Sequence, residues 1–287
     1  MMVNLTYTVV IPFYKNKIFL EKILELLFVQ TKIPDEIIVI DDESKEDIRN
    51  IIQKFKVNYF RQPKNSGVAS ARNKGLQLSS SDITIFLDSD AIPEPMLIQA
   101  IDNIYNEFGE DFIGVGGRSI ECRILTKSDK WRAIHLSQDF GYSMKLKVPY
   151  LYGVCCSYKT KILLEIGGFD TSFNQNVGED YELGIRLNKM GYKLFYSPNI
   201  VVNHQHMDSL ESLTRSQYLW SYWGYKANDK GRISTILPWL GHIYRAICFS
   251  FEDLIIHHDF ELFMVGIKVF TNKFVGLFHA LRNKKND

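Results

Sequence analysis

Asp88 and Asp90 stand two residues apart at the end of a short apolar run, DITIFLDSD. In an extended strand, residues i and i+2 point the same way. Two carboxylates on one face repel each other unless a cation sits beside them. A hard divalent ion with oxygen ligands resolves that repulsion and completes its shell with phosphates. A solvated turn also suits Asp, so the spacing leaves both readings open. Asp41 and Asp42 end a second run, EIIVIDD. Asp42 could accept a hydrogen bond from a base or a ribose, with Asp41 facing away, or it could cap the segment that follows. Glu179 and Asp180 follow Gly178 at an expected helix start. The positive helix end favours their ionised forms, and an ionised carboxylate beside a hydroxyl is a suitable general base. Acidic residues are equally ordinary in a first helical turn. His204 and His206 follow the strand-like NIVV; one imidazole, His204 by preference, could join a metal, or both could be loop residues. Arg72, next to Asn73, could reach a base or a phosphate, or could be a surface arginine on an amphipathic helix.

The first strand-like run ends IPFYKNK, without glycine. Neither the dinucleotide-binding G-x-G-x-x-G nor the phosphate-cradling G-x-x-x-x-G-K-[ST] occurs in the chain. If a nucleotide binds here, a metal rather than a loop of backbone amides must neutralise its phosphates.

The elements that would position these residues alternate between strand and helix patterns over the first hundred or so residues. YTVVIP, EIIVIDD, VNYFR and DITIFLDSD read as strands. Between them lie helical patterns carried by Phe19, Ile23, Leu26 and Leu27, by Ile48, Ile51, Ile52 and Phe55, and by SGVASARNKGLQLS with Ser66 as its N-cap. Apolar strands with helices between them imply an α/β fold around a parallel sheet covered on both faces. Ligands bind outside the carboxyl ends of such strands, where Asp41, Asp42, Asp88 and Asp90 fall. FIGVGGRSIE and VPYLYGVCCSY suggest further strands, and the GGFD turn precedes a helix starting near Glu179. Beyond 205 the pattern is mostly helical and amphipathic.

The 287 residues suit one catalytic α/β domain, about 1–215, with a helical extension at 216–287. The first domain would divide near residue 110 into a nucleotide half and an acceptor half. A formal net charge of +1 gives no reason to expect nucleic-acid binding. The four cysteines, Cys122, Cys155, Cys156 and Cys248, form no C-x-x-C pair, and a reducing, cytoplasmic compartment fits them. No signal peptide and no transmembrane stretch is expected. In 259–283, Phe263, Ile267, Phe270, Phe274, Leu277, Phe278 and Leu281 fall within roughly 100° at helical period. Lys268, Lys273, Arg282, Lys284 and Lys285 add positive charge. This helix could lie on the cytoplasmic face of an anionic membrane, or its stripe could pack on the domain or a second subunit. The aromatic-rich segment 215–228 could shape an acceptor site or simply pack.

Taken in order, VVIPFYKN (9–16), EIIVIDDES (36–44), NSGVASARNKG (65–75), ITIFLDSDA (83–91), GGFD (167–170), GEDYELGIRL (178–187) and VVNHQHMDSL (201–210) resemble the inverting glycosyltransferases of family 2. The resemblance implies a GT-A type, Rossmann-like mixed or parallel sheet flanked by helices. It implies that Pro12 and Tyr14 line a nucleotide pocket, Asp42 contacts the base, Arg72 the base or phosphates, and Asp88 the ribose. It further implies that Asp90 holds Mn²⁺ or Mg²⁺ with His204 as a second contact, and that Asp180 is the catalytic base with Glu179 beside it. The expected partners are a nucleotide-sugar donor, UDP before GDP or dTDP, and a glycan or lipid-linked acceptor. Two other readings are a metal-dependent sugar nucleotidyltransferase, whose Gly-rich loop is absent here, and a non-catalytic module of the same fold.

Overall fold

The computed structural model describes residues 4–109, 111–173, 175–227 and 236–283. They fall into two compact units, Met1–Ile120 with Gln138–Gln205, and Glu121–Ser137 with His206–Asp287. The division differs from the sequence boundaries. Segment 121–137, assigned there to the acceptor half, belongs with the C-terminal helices, and the chain leaves the sheet unit after Gln205 rather than at 215.

The first unit is built on β1 (Tyr7–Phe13), β2 (Glu36–Asp41), β3 (Asn58–Arg61), β4 (Ile83–Leu87), β5 (Ala91–Pro93), β6 (Gly114–Glu121), β7 (Cys155–Lys159) and β8 (Leu194–His204). Its helices are α1 (Lys17–Leu27), α2 (Arg49–Phe55), α3 (Val68–Leu78), α4 (Leu97–Phe108), α6 (Thr160–Glu165) and α7 (Glu179–Lys189), with α5 (Lys127–His135) in the second unit. The sheet order is β3-β2-β1-β4-β7-β6-β8-β5. β1, β2, β3 and β4 pair in parallel, while β7 joins β4 and β6 antiparallel and β5 joins β8 antiparallel. The parallel sheet expected from the sequence is thus the first half of a mixed one.

Strand alternation explains why both faces are covered. Tyr7, Val9, Ile11 and Phe13 of β1 enter one core with Ile37 and Val39, while Val10 enters the other with Ile38 and Ile40. Each such side chain contributes about 1.5–3 kcal/mol on full burial. Continuous apolar runs are what a strand buried on both faces requires. Helix α3 starts one residue later than expected. Gly67, not Ser66, is the N-cap, and the Ser66 hydroxyl donates instead to the Lys64 carbonyl at 3.2 Å.

The second unit contains α5, α8 (Leu210–Ala227), α9 (Ile236–Ile255) and α10 (Phe260–Asn283), with α10 packed on the other three. Asp129 forms a capping box with Thr126 and accepts the Asp208 amide at 2.6 Å, which ties α5 to the start of α8. The aromatic segment of α8 packs within this unit: the Tyr218 hydroxyl meets His279 of α10 at 3.0 Å. Of the seven apolar residues expected to form one stripe in α10, only Leu277 is buried. The packed face is Leu262, Val265, Val269, Lys273, Leu277 and Ala280. Small residues decide this: a Cβ at Gly266 would stand 2.3 Å from Ser250 Oγ, and one at Gly276 would stand 2.4 Å from the Tyr218 carbonyl. Lys284, Lys285 and Asn228 lie outside the described residues.

Candidate active site

A cavity of about 260 Å³ opens at the carboxyl ends of β1, β2 and β4. Seven of the nine residues singled out from the sequence line it. Pro12 and Tyr14 come from the end of β1, Asp42 follows β2, Arg72 lies in α3, Asp88 and Asp90 follow β4, and Glu179 opens α7. A larger cavity, about 890 Å³, lies at the amino ends of β1 and β4 beside Leu5, Asp82 and Lys159. It contains none of these residues, and ligands of open α/β sheets bind at the other end.

Strand β4 stops at Leu87, so Asp88 and Asp90 are not paired by strand alternation as their spacing suggested. They occupy a turn in which the Ala91 amide donates to the Asp88 carbonyl at 3.0 Å. Strand β5 then pairs Ala91 with His204 of β8, and the Gln205 amide donates to the Asp90 carbonyl at 2.8 Å. This pairing sets the buried His204 Nε2 3.5 Å from Asp90 Oδ1. The two atoms are closer than two ligands on opposite sides of one ion, each at about 2.1 Å, would be. A carboxylate with an imidazole suits Mn²⁺ or a similar ion. Burial raises the Asp88 carboxyl pKa, the Arg72 charge opposes that, and the nearby Asp90 raises it further. A cation at the Asp90–His204 end would relieve this repulsion. His206 belongs to the second unit, where its Nε2 lies 3.3 Å from Asp208.

Arg72 is buried, not on a surface. Nη1 donates to Glu179 Oε1 at 2.7 Å, and Nη2 donates to Asp88 Oδ1 at 2.8 Å and to the Gly153 carbonyl at 3.0 Å. Its guanidinium lies 5.4 Å over the Phe169 ring of the GGFD turn. Both terminal nitrogens are therefore engaged by the protein's own carboxylates at the wall of the cavity. Glu179 is correspondingly a buried counter-ion, and its Oε2 has no hydrogen-bond partner among the described residues. Removing one partner of a buried ion pair leaves a desolvated charge. Arg72→Met is expected to lower the unfolding free energy by about 3–5 kcal/mol, read from the urea midpoint at unchanged slope. A loss under about 1 kcal/mol would be surface-pair behaviour and would contradict a buried cluster.

Asp180 differs from its neighbour. Its Oδ2 accepts the Gly153 amide at 2.9 Å, and its Oδ1 accepts the Tyr181 amide at 2.7 Å. Desolvation, then the Glu179 charge, pushes its carboxyl up to about 7, against the pull of the Gly153 amide and Arg72. Gly153 thus touches both Arg72 and Asp180. A Cβ there would stand 2.8 Å from Arg72 Nη2. The sequence reading missed this residue because YLYG looks like the middle of a strand, yet β7 begins only at Cys155.

Asp42 holds the loop ahead of α3. It accepts from Gln62 Nε2, the Ser66 amide and the Gly67 amide, each at 2.8 Å. It lines the cavity, and its bonds go to the loop ahead of α3 rather than to α2, the helix that follows it in the chain. Asp41 faces away, bonded to Ser44, Tyr59 and Arg61. Asn176, also unforeseen, lines the cavity and accepts the Val68 amide at 2.9 Å. Asn73 clasps both backbone groups of Phe169 at 2.8 Å. Gly168 has φ +68, and a Cβ there would stand 2.3 Å from Asn73 Oδ1, which explains the glycine in GGFD.

With this geometry in view, the model of glycosyl transferase family 2 matches residues 8–167, and that of glycosyl transferase family 21 matches residues 141–237. The chain belongs to glycosyl transferase family 2. The family 2 match takes in Asp42, Arg72, Asp88, Asp90 and Gly153. The chain is similar to the glucosyl-dolichyl phosphate glucuronosyltransferase of Haloferax volcanii, 26% identical over 63% of each chain. It is also similar to the pre-mycofactocin glycosyltransferase of Mycobacterium tuberculosis, 26% identical over 71% of this chain and 43% of that one. It therefore spans less than two thirds of the length of these relatives. Among solved structures, the mannosyltransferase PcManGT from Pyrobaculum calidifontis, in complex with GDP-Man and Mn²⁺, superposes with a TM-score of 0.59. It is 16% identical, covering 98% of this chain and 76% of that chain. The fold is the GT-A type of this family 2 chain, an eight-stranded mixed sheet flanked by helices with further C-terminal helices.

Proposed function

We propose that this family 2 chain transfers a sugar from a nucleotide diphosphate donor, UDP before GDP or dTDP, to a hydroxyl of a glycan or lipid-linked acceptor, inverting the anomeric centre. The observation that carries the reading is one cavity at the strands' carboxyl ends lined by Asp42, Asp88, Asp90 and Glu179, with Asp180, the next residue after Glu179, held by the Gly153 amide and its carboxyl raised to about 7 by burial and the Glu179 charge. Pro12 and Tyr14 line the donor cavity, with Asp42 and Asp88 as acceptors for base and ribose. Arg72 and Glu179 position the rim by joining the β4 tip to the start of α7. Asp90 and His204 would hold Mn²⁺ or Mg²⁺, which when bound neutralises charge on the departing diphosphate. Asp180 takes the proton from the acceptor hydroxyl. The oxygen's electron pair forms the bond to the anomeric carbon as the bond to the diphosphate oxygen breaks, and the opposite face of approach inverts the centre. The small number of cysteines and the lack of a C-x-x-C pair support a cytoplasmic setting.

The proposed base sets the pH dependence. A carboxyl raised to about 7 is protonated, and idle as a base, below that pH. The kcat/KM should fall about tenfold per unit on the acid side and level off above neutrality. A profile flat down to about pH 5 would mean that a carboxylate of ordinary pKa, or none, takes the proton. Incubation with UDP-, GDP- and dTDP-sugars and Mn²⁺, reading nucleoside diphosphate release with and without acceptors, tests the reading itself. Release from none of them would overturn it.

A further inference from the structure

Helix α10 turns its small and aliphatic residues inward and leaves aromatic ones outside. Phe260, Phe274 and Phe278 are 63%, 52% and 54% exposed, with Met264 and Val275 also open. At 100° per residue these fall, with half-buried Phe263 and Ile267, in an arc of roughly 120° opposite the packed face. Helix α9 continues the surface with Tyr244, Phe251 and Ile255 exposed. The Phe251 and Phe263 rings lie 5.9 Å apart, and the Phe260 and Phe263 rings 5.7 Å, so the two faces are contiguous. Soluble monomers rarely leave a contiguous apolar patch of more than a few hundred Å² uncovered.

We infer that this α9–α10 face docks on an anionic lipid surface, lying in the headgroup plane. The charge pattern selects that occupant. From Leu262 to Asn286 the chain carries Lys268, Lys273, Arg282, Lys284 and Lys285 and no acidic residue. Lys268 is exposed on the border of the arc and Arg282 at its C-terminal end, with no carboxylate partner among the described residues. Three of the acids nearby are engaged within the unit: Asp259 with Lys127 and Lys130, Glu261 with Lys127, and Asp253 with His135, while half-buried Glu252 beside Phe251 is the one acid at the edge of the α9 face. An exposed apolar stripe with a cationic border is what an interfacial helix presents to anionic lipid. By length and composition α10 could cross a bilayer, although its apolar run is interrupted by Lys268 and Lys273. Its other face is buried on α8 and α9, however, and includes Lys273, whose Nζ lies 5.2 Å over the Trp220 ring. A helix so held offers one face to lipid.

The test is co-sedimentation of the full chain with vesicles of phosphatidylcholine alone and of phosphatidylcholine with phosphatidylglycerol. The chain should bind the anionic vesicles at least about tenfold more tightly, with binding weakened by salt. Phe274→Glu with Phe278→Glu should abolish binding. Lys268→Glu with Arg282→Glu should remove the preference for anionic lipid. All four positions are exposed, so circular dichroism should stay unchanged. Absence of vesicle binding by the native chain, or binding that survives both pairs of substitutions, overturns the inference. So does a concentration-dependent dimer, dispersed by the Phe substitutions, in a chain that ignores vesicles; the face would then be a contact between copies.

Discussion

Asp180→Asn is expected to lower kcat by about 10³-fold while leaving donor affinity within about twofold, because general-base catalysis typically contributes 10²–10⁴-fold. The amide keeps the carboxylate's size and its oxygen can still accept the Gly153 N–H, so only the local Tyr181 N–H loses its acceptor, and a urea midpoint close to native should accompany the rate loss. What is lost is the group that takes the proton. Steady-state release of nucleoside diphosphate gives kcat, and calorimetry gives the donor Kd. Glu179→Gln is the informative companion. Its carboxylate pairs with Arg72, so its loss should appear as lowered stability as well as lowered rate. An Asp180→Asn enzyme within about tenfold of the native rate would remove Asp180 from the role of base.

Asp90→Ala should act on the other half of the reaction. Loss of a metal's outer-shell partner already costs about 10–100-fold, so loss of a ligand should weaken donor binding in Mn²⁺ by at least about 100-fold. Both kcat/KM and donor Kd should then move together, unlike the Asp180 variant. The loss should also exceed that of Asp42→Asn, since Asp42 spends its oxygens on Gln62, Ser66 and Gly67. An Asp90→Ala chain binding donor as tightly as the native one, with Mn²⁺ still required, would place the ion elsewhere.

The parallel half of the sheet and the cluster of acidic residues at its rim were legible in the sequence, because apolar runs ending in carboxylates constrain both at once. Asp88, Asp90 and Asp42 reach the cavity as their positions suggested. The partnerships were not legible, because they join residues far apart in the chain. Arg72 lies 107 residues from Glu179 and 81 from the Gly153 carbonyl, and helical periodicity alone describes it as a surface arginine. Gly153 carries no side chain to betray it, and its importance lies in a backbone N–H and C=O. The Asp88–Asp90 spacing pointed to the right place for an incomplete reason, since a turn rather than a strand presents them. In α10, hydrophobicity marked a stripe but could not say whether it packs, and six of its seven residues stay unburied. Close approach at Gly266 and Gly276 decides which side packs, and the larger aromatics are left outside.

The central claim is that a divalent ion at Asp90 and His204 does for the diphosphate what a glycine loop does in other nucleotide-binding folds. Calorimetric titration of UDP into the native chain, first with saturating Mn²⁺ and then with the metal chelated, bears on it most directly. The predicted result is an affinity at least about tenfold tighter with Mn²⁺, or about 1.4 kcal/mol, with no difference left in Asp90→Ala. Tight UDP binding of equal strength with and without metal would contradict it.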